Sequence, residues 1–307
     1  MKFKKPFCLA LLCLVPIILI FTLTACNSFS ETEYAIVGEG LTSDIFIYDQ
    51  YENSTVKITG IEKMPAQLII PEKIDGMTVV EIGESAFANS TGLLYLEFPS
   101  QNIKLGRGFC AGSMSLIAIN FSGAVSLIPD NAFDGCVNLA RVEGMENVTS
   151  IGEQAFADCI TLSGITLSDK LTEIKNEAFR GCTALSRITI PSSVTFIGES
   201  AFWGCEGLVA ADIECSAEVP QYCFLSCLSL TSIKLGDGVT AIKEEAFRNC
   251  FNLYSLEIGK NCKNIGEYAF YGCDSLTEIN FTDNKNITIG EGNESLNGNN
   301  QPSGEEN

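Results

Sequence analysis

Nine phenylalanines recur along the chain at nearly constant separation: Phe87, Phe109, Phe133, Phe156, Phe179, Phe202, Phe224, Phe247 and Phe270, 22 to 24 residues apart. Other columns keep register with them. Ile stands five before the Phe in seven units (Ile82, Ile128, Ile151, Ile174, Ile197, Ile242 and Ile265), Ala is the usual residue just before it, Cys falls three after and Leu six after. A period of this size belongs to a stacked array. Each unit has too little apolar surface to stand alone and is stabilised by its neighbours.

Within a unit, Ala, Phe and Cys at i, i+1 and i+4 share one face of a single helical turn. The residue before Cys is often Gly, Asn or Asp (Gly135, Asp158, Gly181, Gly204, Asn249, Gly272), types that tolerate the left-handed backbone that ends a helix. Beyond the Leu, apolar residues fall two apart, as in Ile165 and Leu167, Ile188 and Ile190, or Leu256 and Ile258. That is strand periodicity. Each unit therefore reads as a helical turn, a strand, a polar turn and a short extended Val-x-x-Ile segment. Nine such coils at about 4.8 Å each predict a rod roughly 40 Å long. The second unit is irregular, because Gly108-Phe109-Cys110 lies one residue further than usual from Leu116, so Phe109 or Cys110 fills the Phe column. The third is short of strand residues around Gly144.

Units such as Ile197-Gly198-Glu199-Ser200-Ala201-Phe202-Trp203-Gly204-Cys205 and Leu185-Ser186-Arg187-Ile188-Thr189-Ile190-Pro191 resemble BspA-type leucine-rich repeats of bacterial surface proteins. The resemblance covers 81–289 and implies a leucine-rich-repeat solenoid, β-rich with short helical turns. The stretch before it, with Leu68-Ile69-Ile70-Pro71 and Ile74-Asp75-Gly76-Met77-Thr78-Val79, is similar to the segment that opens such arrays. Residues 34–80 read as a β-rich cap, which a solenoid end needs to cover its apolar coil and unpaired edges. From Gly290 onward the chain is rich in Asn, Gly, Glu and Ser and poor in apolar residues, so 290–307 reads as a disordered tail.

At the start, Lys2, Lys4 and Lys5 precede an apolar run from Phe7 to Leu23, an export signal. It closes on Leu23-Thr24-Ala25-Cys26, which resembles the bacterial lipobox. On that reading residues 1–25 are removed, Cys26 carries a lipid that holds the chain to the membrane on its extracytoplasmic side in the cell envelope, and 26–33 is a tether. An uncleaved membrane helix or a plain secretory peptide are the alternatives, and each leaves the remainder outside the cytoplasm.

After residue 25 the chain carries 16 basic and 38 acidic residues, a net charge of −22, which disfavours nucleic acid as a partner. It contains no histidine, so Ser-His-Asp and Cys-His catalysis are excluded. Cysteine is abundant, yet Cys136, Cys159, Cys182, Cys205, Cys227, Cys250 and Cys273 share one inward column. Cys223 stands in the Ala slot, and Cys215 and Cys262 fall near the Val slot. They read as small buried hydrophobes with free thiols. An acidic column three before the Phe (Glu84, Asp130, Glu153, Glu199, Glu244, Glu267) is interrupted by Asn176 and Gln221. It reads as a solvated edge, since calcium needs six to eight oxygens converging in one loop. No motif calls for a metal or a cofactor.

The family resemblance implies that binding lies on the concave strand surface, through residues alternating with the buried Ile and Leu. These are Tyr95, Glu97, Arg141, Glu143, Arg187, Thr189, Asp212, Lys234, Glu257 and Asn280. A rival stripe, Arg180, Trp203, Leu225, Arg248 and Tyr271, follows the Phe column. The expected function is a non-catalytic cell-surface lipoprotein that recognises a protein or glycan. The alternative is a passive structural subunit of an envelope assembly.

Overall fold

The structure, a computed structural model, describes residues 34–281 and 287–296. Cys26, the signal and the tether lie outside the described residues, as does 297–307. The described chain is a β-solenoid. Numbering coils by their Phe column, coil one is built on Phe87 and coil nine on Phe270, and two parallel strand ladders run along the stack.

The first ladder follows the Leu column. It comprises a four-stranded sheet (Gln67–Ile69, Tyr95–Glu97, Ala118–Asn120, Arg141–Glu143) and a five-stranded sheet (Arg187–Ile190, Ala210–Ile213, Ser232–Leu235, Ser255–Ile258, Glu278–Phe281). The second follows the Ile column, in two-residue strands such as Ser150–Ile151 and Glu173–Ile174. Between the ladders the Phe, Ala, Cys, Leu and Ile columns form one continuous core.

The segment around each Phe is not a turn of α-helix, as expected from its i, i+1, i+4 pattern. It is a run of turns in which amide hydrogens alternate in direction. In coil three, Asn131, Phe133 and Gly135 donate to Glu153, Ala155 and Ala157 of the next coil at 2.8, 2.8 and 2.9 Å. The intervening Ala132, Asp134 and Cys136 donate three residues back, at 3.2, 3.2 and 2.9 Å. A helix would keep all six bonds inside the coil, whereas here half of them join coils. The alternation requires left-handed backbone both two after and two before the Phe. The first site falls where Gly, Asn and Asp announce it (Gly135, φ 70; Asp158, φ 55). The second is held by ordinary residues such as Gln154 (φ 54) and Glu177 (φ 55), whose local cost of about 1 to 2 kcal/mol is offset by the bonds between coils.

Coil two resolves in favour of Cys110. Gly108 (φ 56) and Gly112 (φ 67) bracket Cys110, whose amide donates to Ala132 O. Phe109 therefore occupies the Ala slot, yet its ring still reaches the core, 5.2 Å from Phe133 in an edge-on contact. From Phe133 to Phe270 the rings stack face to face at 5.1 to 5.3 Å.

All eleven described cysteines are free and buried. In the Cys column they are more than small hydrophobes. Each Sγ from Cys136 to Cys273 lies 3.2 to 3.3 Å from the carbonyl of the Phe-column residue one coil earlier, a weak S–H donor on a buried acceptor. Ser113 Oγ makes the same bond to Phe87 O at 2.8 Å. Burial pushes the thiols of Cys136 and Cys205 up to about 12, so they stay protonated and unreactive.

Proline interrupts the Ile ladder. The residue after the Ile column normally donates to the previous coil, as Gly152 does to Ile128 O and Gly198 to Ile174 O, both at 2.8 Å. Pro129 and Pro220 occupy that position without an N–H, and the sheet breaks at both. The second break coincides with the one 22-residue coil. Ile213 follows Ile190 by 23 residues but Val219 follows Ile197 by 22, so the missing residue lies between Ile213 and Val219.

The N-terminal strands Ile36–Ser43, Phe46–Tyr51 and Thr55–Ile61 form an antiparallel meander. Thr55–Ile61 then pairs in parallel with Met77–Ile82, the Ile-ladder strand of coil one, which pairs in turn with Lys104–Leu105 of coil two. At the other end the solenoid continues past the expected boundary at residue 289. Thr288–Ile289 extends the Ile ladder. Asn293, buried, accepts the Phe270 amide at 2.9 Å and donates to Gly266 O at 2.9 Å and Gly290 O at 2.8 Å. Its side chain replaces the carbonyl that a tenth Ala would supply. Residues 290–296 are thus a partial tenth coil that closes the stack, a role that their polar composition conceals.

Candidate functional site

The strand register sorts the expected surface residues into two columns. Gln67, Tyr95, Ala118 and Arg141 align in one, Ile69, Glu97, Asn120 and Glu143 in the other. On the five-stranded sheet the columns continue as Arg187, Ala210, Ser232, Ser255, Glu278 and as Thr189, Asp212, Lys234, Glu257, Asn280. All ten predicted residues share this strand face. Eight are exposed; Asp212 and Glu257 are half-buried. Arg187 Nη1 pairs with Asp212 Oδ2 at 3.3 Å, a surface ion pair that contributes roughly 0 to 1 kcal/mol.

Between the two groups the face is interrupted. Coil three keeps its strand, contrary to the expectation around Gly144, and coil four loses it. Among the described residues no backbone hydrogen bond joins Arg141–Glu143 to 163–167 of coil four. On the far side a single one remains, Ser186 N to Ser163 O at 3.2 Å. Gly164 stands where the neighbouring coils have Arg141 and Arg187, and a Cβ built on it would meet nothing within 4 Å. Glycine in place of a packed side chain weakens a strand, and here its two neighbours are Ser163 and Ile165.

The interruption opens a cleft of about 600 Å³ lined by Arg141, Val142, Glu143, Ser163 to Leu167, Asp169, Ser186, Arg187, Thr189, Pro191 and Glu214. Val142 and Ile165 occupy the inward column that is buried elsewhere (Leu96, Ile119, Ile188, Ile233), yet both are partly exposed. Two arginines, three carboxylates and an apolar floor thus face one groove. Four predicted residues, Arg141, Glu143, Arg187 and Thr189, line it, and the other six lie along the flanking sheets. Sequence reading missed the floor, Ser163 to Leu167, together with Asp169 and Glu214. The available signal was Gly164 in a column otherwise held by side chains.

The rival stripe is less free. Arg180 pairs with Asp158 at 2.8 Å and Glu177 at 2.9 Å, and Arg248 pairs with Glu245 at 2.6 Å and lies over the Tyr271 ring. Trp203 and Tyr271 are 42% and 46% exposed, while Leu225 is half-buried. The acidic column is partly used inside the stack. Asp130 Oδ1 accepts the Glu153 amide at 2.8 Å and Asn176 Oδ1 accepts the Glu199 amide at 3.0 Å. A second recess, about 640 Å³, adjoins Pro220 and includes Glu199, Gln221 and Glu244 of that column.

Among solved structures, the pneumococcal vaccine antigen PcpA aligns over 80% of this chain and 71% of its own, at 19% identity and a TM-score of 0.50. A leucine-rich cell-surface protein of Faecalibacterium prausnitzii aligns over 86% and 98%, at 20% identity and a TM-score of 0.43. A leucine-rich repeat protein of T. pallidum aligns over 78% and 91%, at 24% and 0.43. No curated protein matches the chain. The model of the BspA-type leucine-rich repeat region matches in six copies, over residues 70–185, 105–224 and 217–295. With the stacked coils, that match places the chain in the BspA-type leucine-rich repeat family.

Proposed function

We propose that this protein is a non-catalytic recognition module displayed outside the cytoplasm, held to the membrane by a lipid on Cys26, and that it binds a protein or glycan through its strand face. The observation that carries this reading is the cleft of coil four, the place where the face stops pairing with itself and turns charged side chains and part-exposed apolar groups toward solvent. Its lining residues are mostly exposed, which suits an extended ligand lying along a groove better than a small molecule enclosed in a pocket. Export is supported by the basic start and the apolar run from Phe7 to Leu23.

The test is affinity capture by the full chain from envelope and host extracts, with alanine at Arg141, Glu143, Arg187 and Thr189 compared with alanine at Trp203, Arg248 and Tyr271. Loss of at least about tenfold in affinity, some 1.4 kcal/mol, is expected for the first set and little change for the second. The opposite pattern would move the site to the turn edge. Partners lost only when the meander or the final coil is altered would favour the structural-subunit reading.

A further inference from the structure

Resting on that reading of the strand face, we propose that the ligand of the coil-four cleft is an extended polypeptide segment, which adds as a strand beside Arg141–Glu143. Among the described residues, the main chain of coil three is unpaired along this edge. In the four-stranded sheet the residue after a strand donates to the next coil: Phe98 N to Asn120 O at 2.9 Å and Phe121 N to Glu143 O at 3.0 Å. The equivalent amide in coil three is that of Gly144, and among the described residues it makes no such bond. Across the gap, Ser186 N to Ser163 O is the one backbone bond to 163–167 of coil four among the described residues, so Arg187–Ile190 pairs as a strand only with Ala210–Ile213 on its other side. Strand alternation sends the N–H and C=O of Val142 toward the same gap, so donors and acceptors there alternate at the spacing of an extended chain.

Such an edge is complementary to a peptide backbone. The part-exposed Val142 and Ile165 at the floor would take alternate apolar side chains of the incoming strand, and Arg141, Glu143 and Arg187 would read its outward ones. A glycan offers hydroxyls without this alternation. The competing occupant is the coil itself, whose segment 163–167 would close the ladder if its strand propensity were higher.

A phage-displayed library of random heptapeptides, panned on the full chain in mild detergent, tests the proposal. Enriched peptides should alternate in hydrophobicity. Methylating their backbone nitrogens at alternate positions should weaken binding about tenfold in one register, as expected for losing one or two hydrogen bonds, and leave it unchanged in the other. Gly164→Val, which supplies a β-branched residue where there is room for one, should close the cleft and weaken binding by a similar factor. No enrichment, indifference to methylation in either register, or undiminished binding to Gly164→Val overturns the proposal. Binding of a glycan or folded protein that is lost on Arg141→Ala and Arg187→Ala, without peptide enrichment, overturns this inference while leaving the strand-face function standing.

Discussion

Replacing Phe179 by alanine should destabilise the protein by about 3 to 5 kcal/mol, the range for emptying a fully buried aromatic site. The ring has no exposed surface and sits between Phe156 and Phe202, with centroids 5.3 and 5.2 Å away and planes within 6° and 3°. Neither neighbour can move into the hole without leaving its own place in the stack. A solenoid is stabilised by nearest neighbours, so the loss should also lower cooperativity between coils on either side. Urea unfolding followed by the fluorescence of Trp203, the single tryptophan, one coil away, checks both effects against the circular dichroism of the whole chain. Coincident transitions shifted by under 1 kcal/mol would contradict the stacked core.

Two glycines should respond in opposite directions. At Gly198 a Cβ would fall 2.3 Å from Asn176 N and 2.5 Å from Lys175 C, both backbone atoms of the coil before. Gly198→Ala must push two coils apart, where Gly198 N and Glu199 N each bond the earlier coil, at a cost of about 3 kcal/mol. At Gly164 a side chain meets nothing, and its backbone is not left-handed. Gly164→Val should be neutral or stabilise by up to about 1 kcal/mol, by restricting the unfolded chain and favouring a strand. Thermal unfolding of the two variants beside the parent shows the contrast directly.

The coil was legible because buried columns repeat. Phe, Cys, Leu and Ile recur at fixed offsets, and each falls in the core where that register places it. The turn chemistry was half legible. Gly135 and Asp158 announce a left-handed backbone, but Gln154 and Glu177 adopt one because the next coil accepts their amides, a cause outside their own segment. The same limit hid the end of the array, where Asn293 looks like tail composition and acts as a substitute carbonyl. The ten surface residues were placed on one face by alternation alone. Their division by a cleft was not, since a missing strand in coil four depends on how 163–167 packs between two neighbours. Pro129 and Pro220, by contrast, could have been read as ladder breaks from their position after the Ile column.

The strand face is interrupted at coil four, and residue-resolved native-state hydrogen exchange reads that interruption most directly. The amides of Val142 and Gly144 should exchange roughly 100-fold or more faster than those of Phe98, Phe121 and Ser255, which hold equivalent or neighbouring positions in the intact ladder. Uniform protection of these amides across coils one to eight would mean that the ladder is closed and that the face offers no edge to a ligand.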